Sequence, residues 1–164
     1  MNKDRLREEI AADEGCKLND SGEHILYLDH LGLVTMGVGH LVVEGDPEHG
    51  QPVGTPVSEE RVRQAFALDI AVTIEDCRRL CKNVGVDFDA LDEEPQLIFC
   101  NMAFNLGYPR YSKFSRFWSN VAKAVDDPSY WNLVADEAVD SRWHDQVPNR
   151  AKRLVQRLRA LSYG

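Results

Sequence analysis

Two carboxylates and a hydroxyl, Glu14, Asp29 and Thr35, lie near each other in the N-terminal part of this sequence. Thr35 opens the run Thr-Met-Gly-Val-Gly-His, in which a Gly-X-Gly turn follows the hydroxyl. Cleavage of a glycosidic bond needs one carboxylic acid that stays protonated and donates to the leaving oxygen. It also needs an ionised carboxylate that activates water or attacks the sugar. Glu14 and Asp29 are therefore a candidate acid and base.

The candidate acid is positioned by the end of a helix. Residues 3–13 have helical spacing of their apolar side chains, and Gly15 is a typical helix stop. We therefore predict a short first helix with Glu14 at its C-terminal end.

The other two residues lie in a segment without helical spacing. Residues 25–28 and 33–36 are β-rich runs separated by a turn-like tetrad, which predicts an antiparallel hairpin. Asp29 then begins the turn, and Thr35 lies in the returning strand. Residues 44–55, rich in glycine, proline and charge, are expected to form a surface loop.

The remainder of the chain has a helical pattern. Ser58 is predicted to cap a long helix over about 58–81. Residues 95–106 are apolar nearly all round, which is typical of a helix surrounded by other helices, and Gly107 is expected to end that helix.

These elements predict an α+β fold in one domain, 1–164. A small N-terminal antiparallel sheet lobe, about 14–60, accompanies the helix 3–13. The long helix 58–81 is expected to connect it to a C-terminal helical lobe, about 82–164.

Composition excludes several classes of function. The apolar fraction of 43% is enough for a core without disulfides, so we expect the four cysteines to be reduced and mostly buried. A net charge of −8 argues against nucleic-acid binding. We expect no metal and no cofactor, because the histidines and cysteines lack metal-ligand spacing. Residues 1–9 are charged, so neither a secretory signal nor membrane insertion is expected.

Four motifs together resemble a known family. They are Asp-Glu-Gly at 13–15, Tyr-Leu-Asp at 27–29, Thr-Met-Gly-Val-Gly-His at 35–40 and Ser-Arg-Trp-His-Asp-Gln-Val-Pro-Asn-Arg-Ala-Lys-Arg at 141–153. In this order they resemble the phage-type lysozymes of T-even phages, the family 24 glycoside hydrolases. The resemblance covers most of the chain and implies a lysozyme-like fold.

The resemblance also implies roles for the three residues. Glu14 corresponds to the general acid, Asp29 to the carboxylate that positions or activates water, and Thr35 to a residue near that water. The implied reaction is inverting hydrolysis of the β-1,4 bond between N-acetylmuramic acid and N-acetylglucosamine in peptidoglycan.

Further positions are matched by the same resemblance. Arg150 corresponds to the arginine that pairs with the catalytic glutamate. Asn105 and Tyr27 are candidates for contact with the sugar chain. His40 and Asp69 correspond to an ion pair with a structural role between the sheet and the long helix.

Besides the replacement of the usual polar pair just after the aspartate by His30 and Leu31, two features depart from the family. Residues 15–28, which separate the two carboxylates, form a longer segment than is usual, so Asp20 competes with Asp29 for the second role. Asp29 is preferred because its spacing to Thr35 fits the family. The acidic net charge is the second departure, since many wall-degrading lysozymes are basic.

The expected protein is thus a monomeric endolysin that acts on the peptidoglycan glycan strand. It is expected in the host cytoplasm until a separate holin releases it to the wall. Two alternatives stay open: a lytic transglycosylase, which needs one acid and no activated water, and a catalytically inactive wall-binding or virion module.

Overall fold

The computed structural model describes Met1–Gly164 and has the expected α+β fold. All of its strands precede residue 58, and they are β1 His24–Ile25, β2 Tyr27–Leu28, β3 Val34–Met36, β4 His40–Leu41 and β5 Pro56–Val57. The α-helices are α1 Lys3–Glu14, α2 Glu59–Asn83, α3 Glu93–Leu106, α4 Tyr108–Ser112, α5 Ser115–Ala124, α6 Trp131–Val139, α7 Arg142–Gln146 and α8 Pro148–Ala160. None of them combines the length and apolar composition needed to cross a bilayer.

The chain forms two compact units. The sheet unit is Arg7–Val72, and the helical unit is Met1–Leu6 together with Thr73–Gly164. The division between them falls inside α1 and inside α2. The lobe boundaries expected from the sequence stay a prediction.

The predicted hairpin is present, but its first strand is interrupted at Leu26. β1 pairs with β5, whereas β2 pairs with β3, so the run that we predicted as one strand belongs to two different sheets. The break occurs because Leu26 turns into the core with no exposed surface and exchanges hydrogen bonds with Thr55 and Gly54 at 2.9 and 2.8 Å.

The core of the sheet unit joins its strands to the first half of α2. Leu26, Met36 and Val57 from the strands pack with Val62 and Ala65 from the helix. Burial of such side chains contributes on the order of 1.5–3 kcal/mol each. This core holds the hairpin and the Gly-X-Gly turn against α2.

The helical unit is organised around α3, whose side chains are buried from Pro95 to Ala103. Phe99 contacts Phe117, Trp118 and Trp131, with ring centroids 5.1–6.1 Å apart. All four rings are buried and form an aromatic core of the helical unit.

Helix caps follow the sequence signals closely. Ser58 Oγ accepts the Arg61 N–H at 3.1 Å, and α1 ends at Glu14 before Gly15, whose φ is +68°. Gly107, with φ +75°, ends α3 and donates its N–H to the Ala103 carbonyl at 2.8 Å.

The four cysteines are all free thiols, but their environments differ. Cys77, Cys81 and Cys100 are buried in the helical unit. Burial raises the pKa of the Cys81 thiol to about 12 and that of Cys77 well above its usual range. Cys16 is exposed, so it is the exception to the expectation of mostly buried thiols. It follows the helix stop directly, where the chain is at the surface.

Candidate active site

Glu14 is the last residue of α1, and its carboxylate lies against Gly39 in the turn between β3 and β4. A Cβ atom on Gly39 would approach Glu14 Oε2 to 2.7 Å and Cδ to 3.0 Å, closer than real Cβ atoms come to other groups. Gly39 also has a φ of +63°, which favours glycine. The second glycine of the Gly-X-Gly motif therefore provides the space that the Glu14 carboxylate occupies.

Tyr27 is near enough to both candidate carboxylates for their charges to affect the pKa of its phenol. Partial burial raises the pKa of its phenol, and the negative charge of Glu14 raises it further, with a smaller contribution from Asp29. Its hydroxyl donates to the Gly37 carbonyl at 3.3 Å. Because both carboxylates act on one phenol, the structure brings Glu14, Tyr27 and Asp29 into one neighbourhood.

Asp29 begins the turn between β2 and β3 and is fixed through only one carboxylate oxygen. Oδ1 accepts the N–H groups of Leu31 and Leu33 at 2.8 and 2.9 Å. The Asp29 backbone N–H and carbonyl complete the turn with Leu33 and Gly32. Oδ2 accepts no hydrogen bond from the protein. A carboxylate held in this way can use Oδ2 to polarise a water molecule.

Thr35 is paired with Tyr27 across β2 and β3, so both side chains emerge on the same face of the sheet. It is 4% exposed, and its hydroxyl donates to the Leu33 carbonyl at 3.0 Å. A hydroxyl has one donor and two acceptor lone pairs. Thr35 Oγ1 can therefore accept a hydrogen bond from water but has no further proton to donate.

The additional residues between Glu14 and Asp29 form a turn of their own, headed by Asn19. Asn19 Oδ1 accepts the N–H groups of Ser21 and Glu23, each at 3.0 Å. Asp20 lies exposed at the tip of this turn, and its side chain makes no hydrogen bond with the protein. The insertion thus folds locally as a separate turn, and Asp29 keeps its place between β2 and β3.

His40 connects β4 to α2 through Asp69 and to the following loop through Asp46. Its Nδ1 lies 2.7 Å from Asp69 Oδ2, the partner that the sequence predicts, and its Nε2 lies 2.9 Å from Asp46 Oδ2. Arg61 extends the cluster, with Nε 2.5 Å from Glu48 Oε1 and Nη2 3.2 Å from Asp46 Oδ1. We call these five residues the His40 cluster.

The electrostatics of this cluster favour a protonated imidazole. The hydrogen bond to Asp69 raises the pKa of His40 to about 9, against the opposing effect of burial, and Asp46 adds to the rise. Burial would raise the pKa of Asp46, but bonds from the Val43 N–H and His40, together with the Arg61 charge, lower it below its usual value. Because His40 follows Gly39 directly, the cluster fixes the turn that contacts Glu14.

The remaining predicted residues belong to the helical unit. Arg150 on α8 is 7% exposed, and its Nε donates to Asn101 Oδ1 at 2.7 Å. Asn105 on α3 accepts a 2.8 Å hydrogen bond from Trp143 Nε1, so its carbonyl oxygen is occupied within the unit. The pairing of Arg150 with Glu14 and the sugar contact of Asn105 stay predictions.

Several residues of the sheet unit were not predicted from the sequence. Lys17 Nζ lies 5.4 Å from the Tyr27 ring centroid. A cation therefore lies beside the phenol whose pKa both carboxylates raise. Asp46 and Glu48 were not predicted either, because residues 44–55 were expected to be only a surface loop, and Arg61 lies in the predicted helix 58–81 without a local signal for its partners. Charges that are distant in sequence give no periodic signal, so only the fold reveals that they meet.

No group of three or more His, Cys, Asp or Glu side chains in the chain is arranged to hold a metal ion. A cavity of about 520 Å³ lies in the helical unit, and none of the predicted catalytic residues lines it.

Comparison with known proteins relates the chain to lysozymes and phage wall hydrolases. It is 25% identical to the probable T4-type lysozyme 2 of Dictyostelium discoideum, over 92% of this chain and 91% of that protein. It is 24% identical to the pre-baseplate central spike protein Gp5 of Enterobacteria phage T4, over 92% of the chain but 27% of Gp5. It is 30% identical to the peptidoglycan hydrolase gp36 of Pseudomonas phage phiKMV, over 76% of the chain and 12% of gp36. No family model matches the sequence.

Proposed function

We propose that this chain, a phage-type lysozyme-like protein in sequence and fold, is a wall hydrolase of the muramidase type. Its substrate would be the β-1,4 bond between N-acetylmuramic acid and N-acetylglucosamine in peptidoglycan. The observation that carries the proposal is that Asp29 is held through one carboxylate oxygen only. Its charge and that of Glu14 both raise the pKa of the Tyr27 phenol.

Each residue has a defined part in the proposed reaction. Protonated Glu14 donates to the glycosidic oxygen as the bond to the anomeric carbon breaks. Asp29 Oδ2 accepts a proton from the attacking water, and Thr35 Oγ1 accepts a second hydrogen bond that orients the same water. Attack from the face opposite to the leaving group would invert the anomeric centre.

Tyr27 and the turn at Gly39 would help to hold the Glu14 carboxylate in position. The Tyr27 hydroxyl is anchored on the Gly37 carbonyl, so its ring is a fixed wall beside Glu14. Gly39 leaves the carboxylate in place without a competing side chain. Holding an acid in one geometry lowers the entropic part of the barrier.

The proposal is tested by clearing of purified peptidoglycan with the wild type and the Glu14→Gln variant. General acid catalysis contributes about 10²–10⁴-fold, so we expect a loss of that size with an unchanged melting temperature. Equal clearing by both proteins would exclude Glu14 as the acid. New reducing ends in the products would indicate hydrolysis, whereas anhydro-muramic acid ends would indicate a transglycosylase.

One observation favours a second candidate, a virion module that binds wall without cleaving it. The segment of the phage T4 spike protein to which the chain is similar is only 27% of that protein, so a related domain occurs within a larger phage protein. Sedimentation of the wild type with peptidoglycan, without any clearing, would favour this candidate over the hydrolase.

We also propose, as for an endolysin, accumulation in the host cytoplasm and release by a holin. Expression in a bacterial host should cause lysis only when a holin is co-expressed or the inner membrane is permeabilised. Lysis by this chain alone would contradict the need for a holin.

A further inference from the structure

The cavity in the helical unit is surrounded by cations although the chain as a whole is acidic. Its volume is about 520 Å³, within the range of small-ligand sites, and it is lined by residues of α4 to α7. Arg110, Lys113, Arg116 and Arg142 all contribute to its lining and are exposed. In a chain of net charge −8, this concentration of positive charge is local.

These cations are not engaged by carboxylates. Arg116, Arg142 and Lys113 form no ion pair, and Arg110 makes a 2.7 Å hydrogen bond only to the neutral Gln146 Oε1. Other arginines of the same unit do form ion pairs, and they include Arg78 with Asp89, Arg157 with Glu94 and Arg159 with Asp136.

The acidic residues near the cavity do not cancel this charge. Glu137 and Asp140 also line it, but neither lies within ion-pair distance of the four cations. The lining therefore keeps an excess of two positive charges, four cations against two carboxylates. The partly buried ring of Phe114 adds an apolar wall.

We propose that this cavity is a binding site for a phosphate-bearing glycan of the bacterial surface. Guanidinium groups bind phosphate oxygens in a bidentate manner, and a phosphate has enough acceptor oxygens to be shared by several arginines. A phosphate has more acceptor oxygens than a carboxylate, so three arginines around one space suit phosphate better. Phe114 supplies a surface for a sugar face, and Glu137 can accept bonds from sugar hydroxyls.

This site is separate from the proposed hydrolysis, because none of its lining residues has a part in that reaction. It would give an acidic protein a local means of holding a polyanionic envelope. Two sources share the chemistry: a teichoic acid, whose repeats are polyol or sugar phosphates, and the phosphorylated core of lipopolysaccharide.

The test is calorimetric titration of the full chain with purified lipoteichoic acid and, in a second arm, with phosphorylated lipopolysaccharide core oligosaccharide. The same glycans after removal of phosphate serve as ligand controls. We expect saturable binding in at least one arm and none after dephosphorylation. Which arm binds identifies the source.

The matched variants are Arg116→Gln/Arg142→Gln in the lining and Arg63→Gln/Lys152→Gln elsewhere. All four side chains are exposed and form no ion pair, so both variants lose two charges without a folding penalty. The lining variant should bind about tenfold more weakly or worse. The slope of log affinity against log salt concentration should also become less negative, by roughly 1.4–1.8 for two lost phosphate contacts.

Three results would overturn the proposal. Equal weakening by the two double variants would show unspecific attraction to positive charge. Unchanged affinity of the lining variant would place binding elsewhere. Competition by a phosphate-free, carboxylate-bearing muropeptide as strong as that by the phosphorylated glycan would remove the preference for phosphate.

Discussion

The sheet unit contains the same turn twice, once headed by Asn19 and once by Asp29. In both turns, Oδ1 of the first residue accepts N–H groups from the second and fourth residues after it, at 2.8–3.0 Å. In both turns, the backbone bonds close identically, and a glycine, Gly22 or Gly32, follows at φ +80° or +78°. The difference is in the second side-chain atom. Asn19 Nδ2 donates to Glu23 at 3.2 Å, whereas Asp29 Oδ2 has no partner in the protein.

The comparison shows what the fold does not need from Asp29. A neutral amide oxygen builds the same turn at Asn19, so the turn requires an acceptor but no charge. The turn does not use the charge of Asp29. This is the strongest structural reason to propose Asp29 as the catalytic base.

A third residue of this type, Asp46, shows the opposite case. Its Oδ2 accepts from both the Val43 N–H and His40, and its Oδ1 accepts from Arg61. Here the charge itself is used by the fold, because two cations depend on it. Asn19 thus heads a turn without a charge, and Asp29 heads a turn whose charge the fold does not use. Asp46 belongs to a loop that is stabilised by its charge.

The largest expected effect is that of Asp29→Asn on catalysis. Loss of the base should lower kcat by about 10²–10⁴-fold. The melting temperature should be close to that of the wild type, because asparagine keeps the acceptor that the turn uses. Rates on purified peptidoglycan and a calorimetric melt measure the two effects.

The control is the reciprocal change, Asn19→Asp, which should keep the rate. Its melting temperature should fall slightly, because a carboxylate replaces the amide that donates to Glu23. Full activity of Asp29→Asn would favour the transglycosylase alternative. A fall in its stability as large as that of an alanine variant would show that the two turns are not equivalent.

Asp46→Asn should do the reverse and lower the stability more than it lowers kcat. The pKa of His40 rises from 6.5 to about 9 on folding, so protonation contributes about 3 kcal/mol at 1.36 kcal/mol per pH unit. Because the folded pKa is the higher one, this stabilisation is complete below about pH 6.5 and is lost as the pH rises through about 9. Loss of Asp46 removes one of the two carboxylates responsible.

Denaturant unfolding of the wild type and of Asp46→Asn at pH 6 and pH 10 measures this effect. The variant should be less stable at pH 6 and should resemble the wild type more closely at pH 10. An equal difference at both pH values would mean that His40 protonation is not the source. His40→Gln is the matched control, and its stability should vary less over the same interval.

The next effect concerns the two kinds of glycine. Gly39→Ala and Gly22→Ala both force alanine into positive φ, at a cost of about 1–2 kcal/mol. Only at Gly39 does the new Cβ meet the Glu14 carboxylate, since nothing lies within 4 Å at Gly22. We therefore expect Gly39→Ala to lose roughly tenfold or more in kcat, because a small misplacement of a catalytic group is costly.

Gly22→Ala should lose stability but keep its kcat. A thermal melt measures the stability, and rates compared at the same folded fraction measure kcat. Equal kcat for the two alanine variants would show that Gly39 does not position Glu14.

The smallest effect is a direct measure of whether the turns are equivalent. Asn19→Ala and Asp29→Ala each remove an acceptor of two backbone N–H groups at a partly exposed site. Each should cost about 1 kcal/mol, as for the loss of a helix cap. Urea unfolding should give values that agree within about 0.5 kcal/mol, and a larger disagreement would contradict the equivalence.

Local signals explain what could be predicted. The end of α1 at Glu14 and the cap at Ser58 follow from residue types within one helical turn. The turn at Asp29 was likewise marked by four consecutive residues. Such features depend on neighbours in sequence, and a pattern reports them directly.

Non-local features could not be predicted in the same way. The break at Leu26 depends on bonds to Thr55, and the His40 cluster joins β4, the following loop and α2. Neither leaves a periodic trace. The space at Gly39 shows the intermediate case, because the glycine was evident but the carboxylate that it accommodates was not.

The distribution of thiols has a practical consequence for work on this protein. Three cysteines are sealed in the helical unit, and only Cys16 is open to reagents, two positions after Glu14. A maleimide dye should therefore attach at a single place without any engineering. Such a dye would report glycan binding near the proposed acid Glu14 as a change in fluorescence intensity. A thiol-reactive ligand directed to Cys16 would offer a route to covalent inhibitors.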